Sequence, residues 1–519
     1  MCERPGRHTV HASGTVSEGV RTLFIRHKWP WLGTLLLVLV LAMFRVSGMP
    51  GVPTTNGAVV VPLNMPLPRL FDELQERTFH FFWDHADPDT GLVPDRYPTP
   101  SFASIAAVGF ALTAYPIGVE RGYVTRDAAR ARVLKTLRFL YTAPQGSAAT
   151  GMAGFKGFFY RYLGMKTGQR VGDIELSTVD TALLLGGTLF CQSYFDRPND
   201  EEAEIRFLAD EIYRRVDWRW AQIRQPAISH GWTPESLFLD YDWRGYNEAM
   251  ILYVLALGSP THRVASNAWD EWGRGYAQFW GTVEGRRYLA FTPLFGHQYS
   301  HVWLDFRGIL DGPMRRAGFD YLENSRRATY AQRAYAIVNP MHWAGYGENI
   351  WGLTASDGSA DVERTFAGET RRFRSYWARG VGARAFDDGT IAPTAAAASI
   401  AFAPKIVIPA VLEMHRRYGA HIFGKYGFYD AFNPSFDYDV PLKHGRRIPG
   451  VGWVATDYLG IDQGPIVAMI ENYRTGLVWR VMQKNPHVRR GLERAGFAGG
   501  WLDAERATAR QDLRRPTTP

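Results

Sequence analysis

The feature that most limits how this chain can fold is an alternation of two kinds of helical segment. One kind is apolar almost all round. The other carries an apolar stripe and a charged face. A helix without a polar face must be buried on every side, and a striped one lies between core and solvent. Apolar segments occur at residues 102–116, 177–195 and 246–257, with further stretches opening near 348, 395 and 463. Striped segments occur at 70–83, 125–141, 200–216, 265–280 and 325–337. Pairing each buried helix with an outer one predicts an all-α fold: an (α/α)6 barrel, or toroid, with long loops and a few short strands. Its inner helices, near 104, 178, 247, 348, 395 and 463, run in one direction and gather their N-termini at one rim. Residues 394–418 hold apolar stretches expected to break at Pro404 and Pro409. A strand pair is expected within 151–161 and a hairpin within 281–296.

The chain has 519 residues, of which 46% are hydrophobic, enough for one large domain. That domain is placed at 67–497, between a linker at 47–66 and a polar, basic tail at 498–519. Residues 1–28 are polar and basic, and Arg26, His27 and Lys28 precede the uncharged run at 29–44. This pattern reads as an N-terminal membrane-spanning or signal segment at 29–46. It is either an uncleaved signal anchor in the inner membrane, the preferred reading, or a cleaved signal peptide. A basic leader left in the cytoplasm places the domain in the periplasm, or outside the cell if the segment is cleaved. The net charge of +8 is concentrated at the two ends, and no compact basic motif with interleaved aromatics points to nucleic acid. Cys2 and Cys191 give no disulfide framework.

The rim of such a barrel would be acidic. Asp173, Glu175 and Asp180 surround the second inner start, Tyr246, Asn247 and Glu248 the third, and Glu348 and Asn349 the fourth. Asp387 and Asp388 precede the fifth, and Asp457, Asp462 and Gln463 the sixth. Loops add His297, His301, Trp303, His342, Trp343, Tyr429, Asp430 and Asn433. Carboxylates, imidazoles, amides and aromatics in one cleft suit a ligand with many hydroxyls, and paired carboxylates are the machinery of glycoside hydrolysis. Taken alone, Glu248 reads more simply as an acidic residue favoured in a first helical turn. His297 and His301 have the spacing of half a metal site, but no third ligand is evident and HExxH is absent, so no metal and no cofactor is expected. Phosphate-binding loops and the nucleophile elbow of serine hydrolases are missing.

The longer motifs carry a resemblance. RGYNEAMILYVLALGSPTH, FGHQYSHVWLDFRG, NPMHWAGYGENIWGLTASDG, DDGTIAPTAAAASIAFAPKIVIPA, YGFYDAFNP and DYLGIDQGPIVAMIENYRTGLVW are similar to the bacterial glucoamylase-like family, which includes the glycoside hydrolase 144 endo-β-1,2-glucanases. The resemblance covers about residues 67–497. It implies the (α/α)6 toroid, a secreted or periplasmic setting and an endo-acting, inverting hydrolase of β-1,2-glucan. Two alternatives stay open: an exo-acting or transglycosylating enzyme on another β-glucan or oligosaccharide, and a membrane-tethered glycan-binding protein without catalysis. Glu248 is the expected general acid. Asp430, Asp462 and Asp180 compete as base. Tyr246, Asn247, His297, His301, Trp303, Glu348, Asn349, Asp388, Asn433 and Gln463 are expected to bind sugar.

Overall fold

The computed structural model describes residues 66–382 and 385–504. The expected anchor at 29–46, all but the last residue of the linker, and the tail beyond 504 lie outside them. Among the described residues no helix is long and apolar enough to cross a membrane. The α-helices among the described residues include α1 (Arg69–His85), α2 (Ile105–Glu120), α3 (Arg126–Thr142), α4 (Thr178–Tyr194), α5 (Asp200–Arg214), α6 (Met250–Gly258), α7 (Ala268–Arg274), α8 (Tyr299–Trp303), α9 (Gly312–Ala317), α10 (Tyr321–Val338), α11 (Pro393–Ala397), α12 (Pro404–Ile422), α13 (Gly460–Arg474), α14 (Leu477–Gln483) and α15 (Pro486–Arg494).

The apolar segments are inner helices and the striped ones cover them. All of α6 is buried, as is α2 from Ile105 to Gly118. From Thr178 to Cys191, α4 is buried except at Asp180. The inner helices pack in sequence around the barrel. α2 lies on α4, α4 on α6 and α6 on α8, while α11 lies on α13 and α13 returns to α2. Gln298, just before α8, closes the remaining step by donating to the Ala395 carbonyl at 2.7 Å and the Ser399 hydroxyl at 2.8 Å. Outside, α1 covers α2 and α13, α3 lies on α5, α5 on α4, α12 on α11 and α15 on α6. α5 shows why a striped sequence takes this place. Its Ile205, Leu208, Ala209 and Ile212 face inward, and it opens on Asp200, Glu201 and Glu202 behind the Asn199 cap, with the acidic first turn favoured by the helix dipole.

Short strands pin long loops to the inner N-termini. Ala103–Ser104 pairs antiparallel with Tyr162–Leu163, Leu176–Ser177 with Gly231–Thr233, and Arg96–Tyr97 with Tyr458–Leu459. The expected strand pair is the Gly154–Phe155/Phe158–Phe159 hairpin, and the expected hairpin joins Trp280–Val283 to Arg286–Leu289.

Three expectations are corrected. No helix begins near 348; the fourth inner place is taken by the five-residue α8, entered from a 3-10 turn at Leu294–His297. Residues 339–354 turn repeatedly, with Asn339 and His342 at positive φ and Gly345 and Gly352 at +86° and +143°, conformations incompatible with a continuous helix. Pro409 does not break its helix, because α12 runs through it; Pro404 starts α12 at a position where no N–H is missed. The segment 265–280 is a short helix followed by a 3-10 turn at Gly275–Gln278 rather than one helix.

The α2–α4 contact needs two glycines. A Cβ on Gly187 would stand 2.0 Å from the Gly109 carbonyl oxygen, and one on Gly109 2.3 Å from that of Leu183. Backbone faces backbone, so no side chain can yield. Gly187→Ala is therefore expected to cost about 1–3 kcal/mol in denaturant unfolding, as overpacking does. Gly347→Ala, which meets open space, should stay within about 0.5 kcal/mol.

Candidate active site

Glu248 sits in the turn before α6, whose first residue is Met250. Ser300 of α8 holds that turn: its hydroxyl donates to the Glu248 carbonyl at 2.7 Å and accepts from the Ile251 N–H at 3.0 Å. A neighbouring inner helix thus satisfies the exposed end of α6. The Glu248 side chain is left out of capping, and one of its carboxyl oxygens is buried without a hydrogen-bond partner. Burial pushes its acid up to about 7; the Asp180 charge adds to this and Arg161 opposes it.

Asp180 is the one α4 residue that the N-terminal half of the helix leaves unburied. It accepts from the Ser177 hydroxyl and from Arg161 Nε at 3.2 Å. The other arm of Arg161 meets Glu175 at 2.8 Å. Strand pairing puts this guanidinium there. The Arg161 N–H donates to the Glu175 carbonyl at 3.0 Å, and its carbonyl accepts from the Ile105 N–H at 3.2 Å. His230 lies beside it, stacked on Trp243 at 3.7 Å between ring centres, and burial lowers its pKa to about 4.

On the other side, Asp430 is fully buried and Asp462, in the first turn of α13, is 6% exposed. Their carboxyls are in hydrogen-bond reach of one another. Asp430 Oδ2 also accepts from the Asp357 N–H at 2.6 Å. Burial first, and the charges of neighbouring carboxylates next, raise both acids. Arg96 donates to Asp357 at 2.9 Å and to Asp457 at 3.3 Å. Asp95 next to it is pushed up to about 6 by burial, against the pull of Arg96. Asp357, His444 and Asp457 bring ligand atoms within 4.8 Å of one another. Both carboxylates already hold the Arg96 guanidinium, so the trio is an ion-pair knot rather than a cation seat. Tyr299 feels charges of both halves, those of Asp462, Glu248 and Asp180, and Tyr376 those of the second, Asp462, Asp430, Asp357 and Asp95.

The structure gathers Glu248, Asp180, Asp430 and Asp462 at one rim and engages most of the other expected residues in contacts with the protein itself. Trp303 fills the barrel, stacked on Phe110 with its indole N–H on Thr113 at 2.9 Å. His301 is core, between Phe306 and Phe402 and bonded to Ser325. His297 and Tyr246 bond each other at 3.0 Å and are buried. Asn247 accepts from the Ala249 N–H at 3.0 Å and donates to the Arg244 carbonyl at 3.3 Å, fixing the turn beneath Glu248. Asp388 forms a fully buried bidentate pair with Arg379, at 2.6 and 2.8 Å, and Asn433 donates to the Asp388 carbonyl at 2.8 Å. Gln463 is buried on the Phe428 carbonyl at 3.0 Å. Glu348 is exposed and paired with Arg333, with the half-buried Asn349 beside it. Expecting these side chains to hold sugar rested on helix starts and loop composition, which do not report which way a side chain turns.

Sequence reading passed over Arg96, Asp95, Arg161, Tyr299, Asp357 and Tyr376. One signal was present, and for Arg161 alone: an arginine in FFYRYLG, the loop that leads toward the acidic start of α4. Removing Arg96 would leave Asp357 and Asp457, only 1% and 2% exposed at their side chains, without compensation. Arg96→Ala is expected to lower unfolding free energy by about 3–5 kcal/mol at neutral pH in chemical denaturation.

Comparison with known proteins places this geometry. The Glycoamylase family model, described as "Putative glucoamylase", matches residues 240–486. A solved structure from Bacteroides uniformis titled a putative glucoamylase is 32% identical, with a TM-score of 0.71 over 83% of this chain and 98% of that one. The endo-β-1,2-glucanase of Chitinophaga pinensis, solved with sophorotriose and glucose, is 29% identical with a TM-score of 0.71 over 84% of this chain and 99% of that one. An exo β-1,2-glucooligosaccharide sophorohydrolase (non-reducing end) of Parabacteroides distasonis is 30% identical over 455 residues, 82% of this chain. The chain spans 57% of that relative's length. With these matches across the helical domain, the chain belongs to the glucoamylase-like family that the Glycoamylase model describes.

Proposed function

We propose that this chain is a glycoside hydrolase that cleaves β-1,2-glucan by an inverting, endo-acting reaction. The observation that carries the reading is Glu248, a carboxyl poised to hold a proton near neutrality at a rim that also carries the Asp430–Asp462 pair. Its unpartnered oxygen is available to a glycosidic oxygen, and a pKa raised in this way suits a general acid. Glu248 gives its proton to the leaving oxygen as the bond to the anomeric carbon breaks. A water activated by the carboxyl pair attacks that carbon from the other face. Asp180, bound to Arg161 and Ser177, is the weaker choice of base because its charge is already engaged. It is assigned to setting the field at Glu248. Substrate and linkage are supported by the Chitinophaga pinensis and Parabacteroides distasonis relatives, whose names specify β-1,2-glucans. An exo-acting reading is favoured by the second of these, which releases sophorose by name. The basic leader and apolar run at 1–44 support a periplasmic domain tethered to the inner membrane.

Incubation with linear β-1,2-glucan, followed by NMR and product sizing, is expected to give a ladder of short oligosaccharides appearing first as the α-anomer. Sophorose as the sole early product would select the exo reading; a β-anomer would exclude inversion. Glu248→Gln should lower kcat by about 10²–10⁴-fold while glucan binding persists. Glu248 acts in its protonated form, and its acid lies at about 7. Wild-type kcat/KM should therefore fall as pH rises through about 7, and the residual activity of Glu248→Gln should lack that limb.

A further inference from the structure

Asp430 and Asp462 come to the rim on different elements. Asp430 follows the strand Gly427–Phe428, and Asp462 lies in the first turn of α13. Both are buried, and neither has an ion pair among the described residues. Asp430 Oδ2 is used by the Asp357 N–H. That leaves Asp430 Oδ1 and Asp462 Oδ2 buried without a donor, although the two side chains are within hydrogen-bond reach. Carboxylate anions only accept, so a bond between two of them requires a proton. A shared proton would let one of the two carboxyls donate to the other.

The charged and titratable groups facing the pair do not supply an alternative. Arg96 is engaged by Asp357 and Asp457, and Arg379 by Asp388. Asp95 and Asp357 add negative charge, and Tyr299 and Tyr376 add phenols. Two full anions at this place would face each other in a poorly solvated site, which costs more than retaining one proton.

We propose that Asp430 and Asp462 form a single base unit that shares one proton at rest and takes up a second during hydrolysis. This rests on the hydrolase reading above. In the step, the water oxygen bonds to the anomeric carbon as the bond to the leaving oxygen breaks. Glu248 delivers its proton to that oxygen. The proton lost by the water enters the dyad, leaving both aspartates protonated. The cycle closes when the dyad releases one proton to solvent and Glu248 takes one up. Asp462, the more exposed of the two, is the residue expected to meet the water, and Asp430, held by the Asp357 N–H, is its positioning partner.

Infrared difference spectroscopy of the full chain tests the shared proton without substrate. In an E248Q background at neutral pH, one protonated-carboxyl C=O band is expected from the pair. Adding D430N or D462N should each remove that same single band, and adding both should remove no more. A band that survives either substitution, or two different bands lost separately, overturns the proposal. If a combined variant fails to fold, E248Q alone decides: titrated by the same band, the pair must release its two protons in widely separated steps, and joint release overturns the dyad. A protein that shows the shared band but releases no sugar from β-1,2-glucan refutes the substrate reading and leaves the dyad standing.

Discussion

Two guanidinium groups make this rim foldable. Asp95, Glu175, Asp180, Glu248, Asp357, Asp430, Asp457 and Asp462 crowd one end of a barrel whose inner helices are almost wholly apolar. Collecting that much negative charge away from bulk water would strongly disfavour the folded state. Arg96 compensates Asp357 and Asp457, and Arg161 compensates Glu175 and Asp180. Each arginine is delivered by a strand pair that ties its loop to the start of an inner helix, so the neutralising charge is fixed in place before any ligand arrives.

The same arrangement sorts the carboxyls into two groups. Glu175, Asp180, Asp357 and Asp457 pair with an arginine, while Asp95, beside Arg96, is still raised by burial. Glu248, Asp430 and Asp462 meet none directly, and burial holds them toward their protonated forms. Environments that separate the acidities of nearby carboxyls are what acid–base chemistry at one pH requires. The asymmetry comes from backbone topology rather than from the acids themselves: all are ordinary Asp or Glu, and their neighbours decide their state.

The helical alternation was legible because burial leaves a periodic mark on sequence. Phe110, Leu184 and Leu255 had to be inside, and they are. Glu248 could be singled out because it stands at the opening of an apolar run that has no other acid. The direction of polar side chains left no such mark. His297, His301 and Trp303 have the composition of a sugar site and the surroundings of a core. Asp388 reads as a turn residue or a ligand-binding one, and only the distant Arg379 makes it a buried ion pair. Arg96 lies more than 250 residues from the aspartates it bridges, a relation that local pattern cannot contain.

The fourth inner position shows how the fold makes room for chemistry. A full-length helix there would continue the barrel, yet α8 has five residues. The chain instead spends residues 339–382 and 385–392 on turns and paired strands, including Ala355–Asp357 with Tyr376–Ala378. That pair places Asp357 where its N–H meets Asp430 and its carboxylate meets Arg96, and it brings Tyr376 among the same acids. Ser300, from the shortened helix, holds the turn under Glu248. Both halves of the proposed acid–base machinery therefore lean on the region where the barrel is least regular. Helical symmetry supplies a rigid wall; the interruption supplies the backbone donors and loop positions that a regular helix, with its N–H groups already engaged, could not offer.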